Sequence, residues 1–275
     1  MAQHSVLITG CSSGIGLAAA ETMKTRGWRV FATAREPEDL ARLKDEVGVE
    51  SVYLDYTEPD SIAAAADHVR AATDGTLTAL FNNGAYGQAG AIEDLPTEAL
   101  RAQFEANVFG WHDLTRRVIA PMRARNEGRI VQCSSVLGLL AAPYRGAYCA
   151  SKFAIEALTD TLRMELKDTG IHVSLIEPGP IRTRFIETAI KHYKQNIDME
   201  NSAHAEIYRE RLAKMEDGGQ MAFKLEPEAV CRRLVHALEA KRPKTRYYVT
   251  VPTFVGAYLR RILPTRALDF VAAKN

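Results

Sequence analysis

Two hydrophobic periods alternate along the 275 residues, and their alternation predicts the architecture. Short β-branched and apolar runs read as strands: Val6-Leu7-Ile8, Trp28 to Thr33, Val52 to Asp55, Leu77 to Phe81, Arg129 to Cys133, His172 to Ile176 and Tyr247 to Val251. Between them lie segments of helical period. Helix formers run from Leu17 to Lys24, with Gly27 as the expected stop, and an alanine-rich helix covers Ser61 to Ala72. One long helix is expected from Thr97 to Arg125, with Leu100, Phe104, Asn107, Trp111, Leu114 and Val118 on one stripe. Another carries Tyr148, followed on the same face by Ile155, Leu158, Leu162 and Leu166, and a further helix starts near Glu226-Pro227-Glu228. Strands alternating with helices predict an α/β fold, a doubly wound parallel sheet with helices on both faces, in a single domain over 1–275.

In such sheets ligands bind at the carboxyl ends of the strands. The first strand runs into Thr9-Gly10-Cys11-Ser12-Ser13-Gly14-Ile15-Gly16, a turn in which glycines let backbone N–H groups and a helix N-terminus approach a pyrophosphate. The spacing is Gly-xxx-Gly-x-Gly and not GxGxxG, and a tight surface turn is the bland alternative. The second strand ends in Ala34-Arg35, where a carboxylate would accept the ribose hydroxyls of NAD; Arg35 instead suits a 2′-phosphate, unless it is simply a solvated side chain of the charged segment Arg35 to Asp39. Ser12 can add a hydroxyl to that phosphate. The fourth strand delivers Asn82-Asn83-Gly84-Ala85, whose asparagines can also simply build the turn, and the fifth delivers Ser134 and Ser135, where a serine hydroxyl can bind a carbonyl oxygen and stabilise its developing charge. Asn107 breaks an apolar stripe, so its amide must bond backbone, water or a catalytic group; a structural asparagine locking a helix kink is the alternative, and the two are compatible. Tyr148 and Lys152 stand four apart on one helix face, where the ammonium favours phenolate and is expected to lower the phenol pKa; taken alone, the pair is also a common chance pattern. The sixth strand ends in the rigid turn Pro178-Gly179-Pro180.

Composition narrows the picture by exclusion. With 47% hydrophobic and 25% charged residues and a formal net charge of +1, the chain is an ordinary globular protein with no electrostatic case for nucleic acid. Cys11, Cys133, Cys149 and Cys231 show no CxxC spacing and no metal-ligand cluster, so no metal is expected and a reduced compartment fits. Met1 to Ser5 lacks the features of a signal peptide, which suggests a cytoplasmic protein, at most peripherally membrane-associated. Arg184 to Phe223 is polar, charged and irregular in pattern. The tail, 252–275, mixes Phe254, Val255, Tyr258, Leu259, Ile262 and Leu263 with Arg260 and Arg261, too short and charged to span a bilayer but able to lie on one or to pack against the domain or a sister subunit.

Together these motifs resemble the short-chain dehydrogenase/reductase family: TGxxxGxG at Thr9 to Gly16, an NNAG-like Asn82 to Ala85 with Gly and Ala exchanged, Asn107, Ser135 thirteen residues before Tyr148, YxxxK, and PGxxxT at Pro178 to Thr183. The resemblance implies a Rossmann-type fold and NADP(H) or NAD(H) bound at Gly10, Ser12, Ser13, Gly14, Ile15, Gly16, Arg35, Asp55, Asn82, Lys152, Pro178, Gly179 and Thr183, with NADP(H) preferred because Arg35 lies where NADP-preferring members carry a basic residue. It implies Tyr148 as general acid/base, Lys152 lowering its pKa and binding the nicotinamide ribose, Ser135 orienting the carbonyl with Ser134 structural, and Asn107 holding a water of the proton relay. It also implies Asp55 near the adenine, Asn82 by the cofactor ribose, Thr183 on the carboxamide, a homodimer or homotetramer, and 184–223 as a lid, for which a surface decoration with no gating role is the alternative. Thr9 to Gly16 and Ala32-Thr33-Ala34-Arg35 look like the branch of 17β-hydroxysteroid and retinol dehydrogenases and related bacterial aldehyde reductases, which implies a large apolar alcohol or carbonyl. The alternatives are a non-catalytic NADP(H)-binding sensor or scaffold, and a sugar-nucleotide epimerase sharing YxxxK.

Overall fold

The computed structural model describes residues 3–217 and 223–273. Its chain order is β1 (Ser5–Ile8), α1 (Gly14–Thr25), β2 (Arg29–Ala34), α2 (Pro37–Arg42), β3 (Glu50–Tyr53), α3 (Pro59–Ala72), β4 (Ala79–Asn82), α4 (Thr97–Phe104), α5 (Gly110–Arg125), β5 (Gly128–Cys133), α6 (Gly146–Glu165), β6 (Ile171–Glu177), α7 (Phe185–Asn196), α8 (Ala205–Glu216), α9 (Glu228–Glu239), β7 (Arg246–Tyr248), α10 (Val251–Ile262) and α11 (Thr265–Ala272). All strand pairings are parallel, in the order β3-β2-β1-β4-β5-β6-β7, so the winding reverses between β1 and β4. Right-handed crossovers from such an order put helices on both faces, α1 packing with α9 and α3 with α5. The strands are buried on both sides, which is why they read as continuous apolar runs. The single Rossmann-type domain is thus present.

Four expectations need correction. The long helix over 97–125 is interrupted by a π-helical turn, Glu105–Phe109. Its extra residue rotates the stripe, so α4 buries Ala99 and Gln103 while Leu100 and Phe104 are only half-buried. On α6, Leu158 faces solvent rather than the core. The last strand stops at Tyr248, because Pro252 at the first turn of α10 starts a helix where a strand was expected to continue to Val251. The segment 184–223 is not irregular in its described part: α7 and α8 supply Tyr193, Ile197 and Tyr208 to a small second core with Ala89 and Ala91. Residues 218–222 of that segment and 274–275 of the tail lie outside the described residues.

Candidate active site

The carboxyl ends of β1, β4, β5 and β6 bring the candidate residues together. The glycine loop is shaped by close approaches: a Cβ on Gly16 would lie 2.1 Å from the Gly10 carbonyl oxygen, and one on Gly14, whose φ is +56°, would lie 2.8 Å from Thr183 Cγ2. Helix α1 therefore starts hard against the strand end and the turn after β6. Ser13 precedes it in extended conformation with no side-chain capping bond, and no acidic residue occupies the first turn. An uncapped, acid-free helix start lined by glycine fits a pyrophosphate. Gly10, Gly14, Ile15, Gly16, Ser12 and Ser13 would hold it.

The glycine after β4 sits in a tight place, since a Cβ on Gly84 would lie 3.2 Å from Gly10 N and 3.3 Å from both Gly10 Cα and Tyr56 Cε2. Thr9 fixes that turn, its hydroxyl accepting from Asn83 N at 2.8 Å and Gly84 N at 3.2 Å. The side chain of Asn82 is fully buried and turned inward: Oδ1 accepts from the Tyr56 hydroxyl at 2.7 Å and Nδ2 donates to Thr115 at 3.0 Å. These two buried bonds make the Asn82 side chain a brace for the sheet end.

At the adenine end, Arg35 is 62% exposed and reaches Asp55 at 3.4 Å. Asp55 is oriented by Thr57 N and Oγ1, both at 2.8 Å. Arg42, which sequence reasoning missed, reaches from α2 to the Ser12 carbonyl and pairs with Asp39 at 2.8 Å. A basic corner thus borders the glycine loop.

Tyr148 and Lys152 lie on the inner face of α6, both buried. Lys152 Nζ donates to the Cys133 carbonyl at 2.8 Å and sits over the Trp111 ring at 4.3 Å, with the Tyr148 ring centroid 5.7 Å away. Burial lowers the ammonium to about 8. The expected lowering of the phenol is corrected: burial raises Tyr148 well above its ordinary value, and the Ser135 hydroxyl only partly offsets it. Lys152 donates to a strand-end carbonyl, and the phenol is held protonated. Ser135 follows β5, its Oγ accepting from Leu137 N at 3.1 Å while Val136 N donates to the Pro178 carbonyl at 2.8 Å. Gly179 is packed under Thr250, and Thr183 Oγ1 accepts from Phe185 N at the start of α7.

Asn107 does not point at this pair. Its amide clamps Tyr86, accepting from N at 3.2 Å and donating to O at 2.9 Å, and Nδ2 also meets Ser151 Oγ at 3.2 Å, which donates to the Tyr148 carbonyl at 2.8 Å. Both amide N–H groups are used and Oδ1 keeps one lone pair, so the side chain acts as a clamp that fixes α6 beside Tyr148. Its place in the π-helical turn was the signal. A cleft lined by His4, Trp28, Arg129 and Glu239 lies at the amino ends of the strands, remote from this chemistry.

The family profile described as short chain dehydrogenase matches residues 4–194. The chain is 44% identical over 267 residues to the uncharacterized oxidoreductase YbbO of Escherichia coli (strain K12), covering 97% of this chain and 93% of the relative. It is 33% identical to human 17-beta-hydroxysteroid dehydrogenase type 1, covering 91% and 78%, and 31% identical to the NADPH-dependent 3-dehydrocapnine reductase of Ornithobacterium rhinotracheale, covering 98% and 96%.

Proposed function

The chain belongs to the short-chain dehydrogenase family, and from that premise we propose that it is an NADP(H)-dependent oxidoreductase interconverting an alcohol with its ketone or aldehyde, on a predominantly apolar substrate of steroid, retinoid or lipid-aldehyde type. The observation that carries this is the convergence of Ser135, Tyr148 and Lys152 beside the uncapped, glycine-lined start of α1. When bound, the dinucleotide supplies or accepts the hydride. Tyr148 gives its phenolic proton to the substrate oxygen during reduction and recovers it during oxidation. Ser135 donates a hydrogen bond to the same oxygen where charge develops. Lys152, anchored on the Cys133 carbonyl, keeps a cation near the phenolate that forms. The Asn107 clamp holds α6 in register for this transfer. Oxidation of NADPH in the presence of aldehydes, retinoids or steroid ketones, followed at the nicotinamide absorbance, tests the assignment. Turnover of at least one apolar carbonyl is expected; silence across the panel would favour a non-catalytic sensor. A sugar-nucleotide epimerase is disfavoured by the Gly-xxx-Gly-x-Gly loop.

The preference for NADP(H) is supported by Arg35, exposed at the end of β2, and by the NADPH-dependent relative. Arg35→Ala is expected to raise the Kd for NADPH by about tenfold, the scale of one charge-assisted hydrogen bond at an exposed site, and to leave NADH little changed. Titration of both cofactors against the variant checks this, and equal losses would contradict it.

The four cysteines are free and buried, in keeping with a reducing cytoplasmic location. We also assign α10 a contact with anionic membrane. The helix packs on the domain through the small residues Thr253, Gly256 and Ala257 and exposes Val251, Phe254, Val255, Tyr258 and Ile262, with Arg260, Arg261 and Arg266 at the rim and Asp269 as the acidic exception. That charge complements an anionic surface, while no helix among the described residues is long and apolar enough to cross a bilayer. Flotation of the full chain with vesicles containing phosphatidylserine should exceed that of Phe254→Ser/Tyr258→Ser; equal flotation would remove the assignment, and dimerisation through this face would show instead in sedimentation.

A further inference from the structure

Under the lid helices lies a polar feature that an apolar substrate does not explain. Arg145 stands three residues before Tyr148, in the turn that pairs with Gly90. Burial, and then the charge of Arg211, pull its guanidinium below its ordinary value, and it acts electrostatically on Tyr148, Cys149 and Tyr193. Arg211 comes from α8 and lies over the Tyr144 ring, its Cζ 4.4 Å from the centroid. Among the described residues, neither guanidinium forms a hydrogen bond or an ion pair, whereas Arg246 is matched by carboxylates and Arg129 by carbonyls. The neighbouring acids are engaged elsewhere: Glu93 with His204, and Asp94 with Ser202 and Tyr208. Tyr193 adds a second, independent signal. It is 1% exposed and its hydroxyl is buried without a partner, whereas the ring stacked edge-on against it, Tyr208, bonds both Asp94 and Ala91 N. Two half-buried like charges without a carboxylate between them, beside a buried hydroxyl without a partner, leave a cost that an anion would offset.

We propose that Arg145, Arg211 and Tyr193 form a carboxylate subsite, so that the substrate is an apolar chain bearing its carbonyl at Tyr148 and a carboxylate at its far end. The subsite deepens the carbonyl-reductase function and presupposes it for turnover, but not for binding. A bidentate guanidinium–carboxylate contact, completed by the tyrosine hydroxyl, would discharge the repulsion between the two arginines. Phe185, tilted against Tyr148 at 5.3 Å between ring centroids, begins the same helix that carries Tyr193, so one element reports on both the reacting carbonyl and the distal group.

The test compares ω-oxo alkanoates of graded length with their methyl esters, NADPH being present. At the best length, wild-type protein should favour the acid over its ester in kcat/KM by about 10- to 100-fold, the range of a charge-assisted contact. Arg145→Gln should bring that ratio toward one, Arg211→Gln should lower it, and Arg145→Lys should restore part of it. A second readout does not need turnover: saturated alkanoates of the same lengths should raise the thermal midpoint of the wild-type protein more than their esters do, and the difference should vanish in Arg145→Gln. Equal kcat/KM for acid and ester at all lengths, or an acid preference undiminished in both glutamine variants, overturns the subsite while leaving the reductase intact. Selective binding of alkanoates without reduction of any aldehyde would instead keep the subsite and overturn the reductase. Should Arg145→Gln not fold, the Arg211→Gln and Arg145→Lys ratios decide.

Discussion

Tyr148→Phe is expected to lower kcat for carbonyl reduction by about a hundredfold to ten-thousandfold, the span of general acid catalysis by a positioned side chain, with the affinity for NADPH unchanged. Only one oxygen is removed. The ring keeps its packing against Phe185 and its place under Lys152, and the glycine loop that would hold the pyrophosphate is built from β1 and α1, which Tyr148 does not touch. Because burial holds the phenol protonated, Tyr148 is poised to donate in the reducing direction, so the loss should appear in kcat more than in KM. Single-turnover rates of NADPH oxidation, measured beside cofactor binding, separate the two effects. A variant that turns over at the wild-type rate would remove Tyr148 from the chemistry.

Arg246→Met is expected to cost about 3–5 kcal/mol of folding stability at neutral pH, the usual penalty for removing one partner of a buried ionic cluster. Arg246 lies at the start of β7 and donates to Glu177 at 2.6 Å, and also to Glu156 and Asp160. Without the guanidinium, the Glu156 and Asp160 carboxylates lose their countercharge next to Glu177, which is wholly buried and protonated. The cluster also sets a pH dependence. Burial first, and then the charge of Glu156, push the Glu177 carboxyl up to about 8 from its ordinary 4.5, against the pull of Arg246. Between those values the native state retains a proton that the unfolded chain has lost. The contribution is therefore complete below the unfolded value and is lost as pH rises toward about 8, with a slope of up to about 1.4 kcal/mol per pH unit. Glu177→Gln should flatten that decline. Chemical denaturation across the interval checks both variants; an Arg246→Met protein as stable as wild type at neutral pH, or an undiminished slope in Glu177→Gln, would contradict the account.

Much of the fold was legible because parallel strands buried on two faces must be continuously apolar, as Val6-Leu7-Ile8 and Ile130-Val131 are. The candidate site was legible for a related reason: Gly10, Gly14 and Gly16 mark places where a side chain has no room, and Tyr148 and Lys152 share a helix face by spacing alone. What stayed hidden depends on direction rather than type. The pattern showed that Asn107 interrupts a stripe, but not that a π-helical turn there rotates α4 and commits the amide to Tyr86. The resemblance put Asn82 by the cofactor ribose, yet the alternation of side chains puts its amide on the buried side, against Tyr56 and Thr115. Lys152 was read as a neighbour of the phenol, while its long side chain runs to a carbonyl of β5. The segment 184–223 concealed two helices because most of their surface is charged, and the few residues that pack, Tyr193, Ile197 and Tyr208, are spread across both. Arg145 carried a local signal, a cation three residues ahead of Tyr148, but its isolation from carboxylates is a tertiary fact. The Arg246 cluster joins residues 69 to 90 positions apart, beyond any local pattern.

The central claim is that the strand ends bring a carbonyl, a hydride and the Tyr148 proton together. Deuteride tracing tests it most directly: the protein is incubated with NADPH deuterated at nicotinamide C4, on either face in turn, and an apolar aldehyde or ketone, and the alcohol is read by mass spectrometry. One deuterium on the former carbonyl carbon, from one face of the nicotinamide only, and its loss in Tyr148→Phe, is the expected result. NADPH oxidised with no label in any alcohol, or the same labelling in Tyr148→Phe, would contradict it.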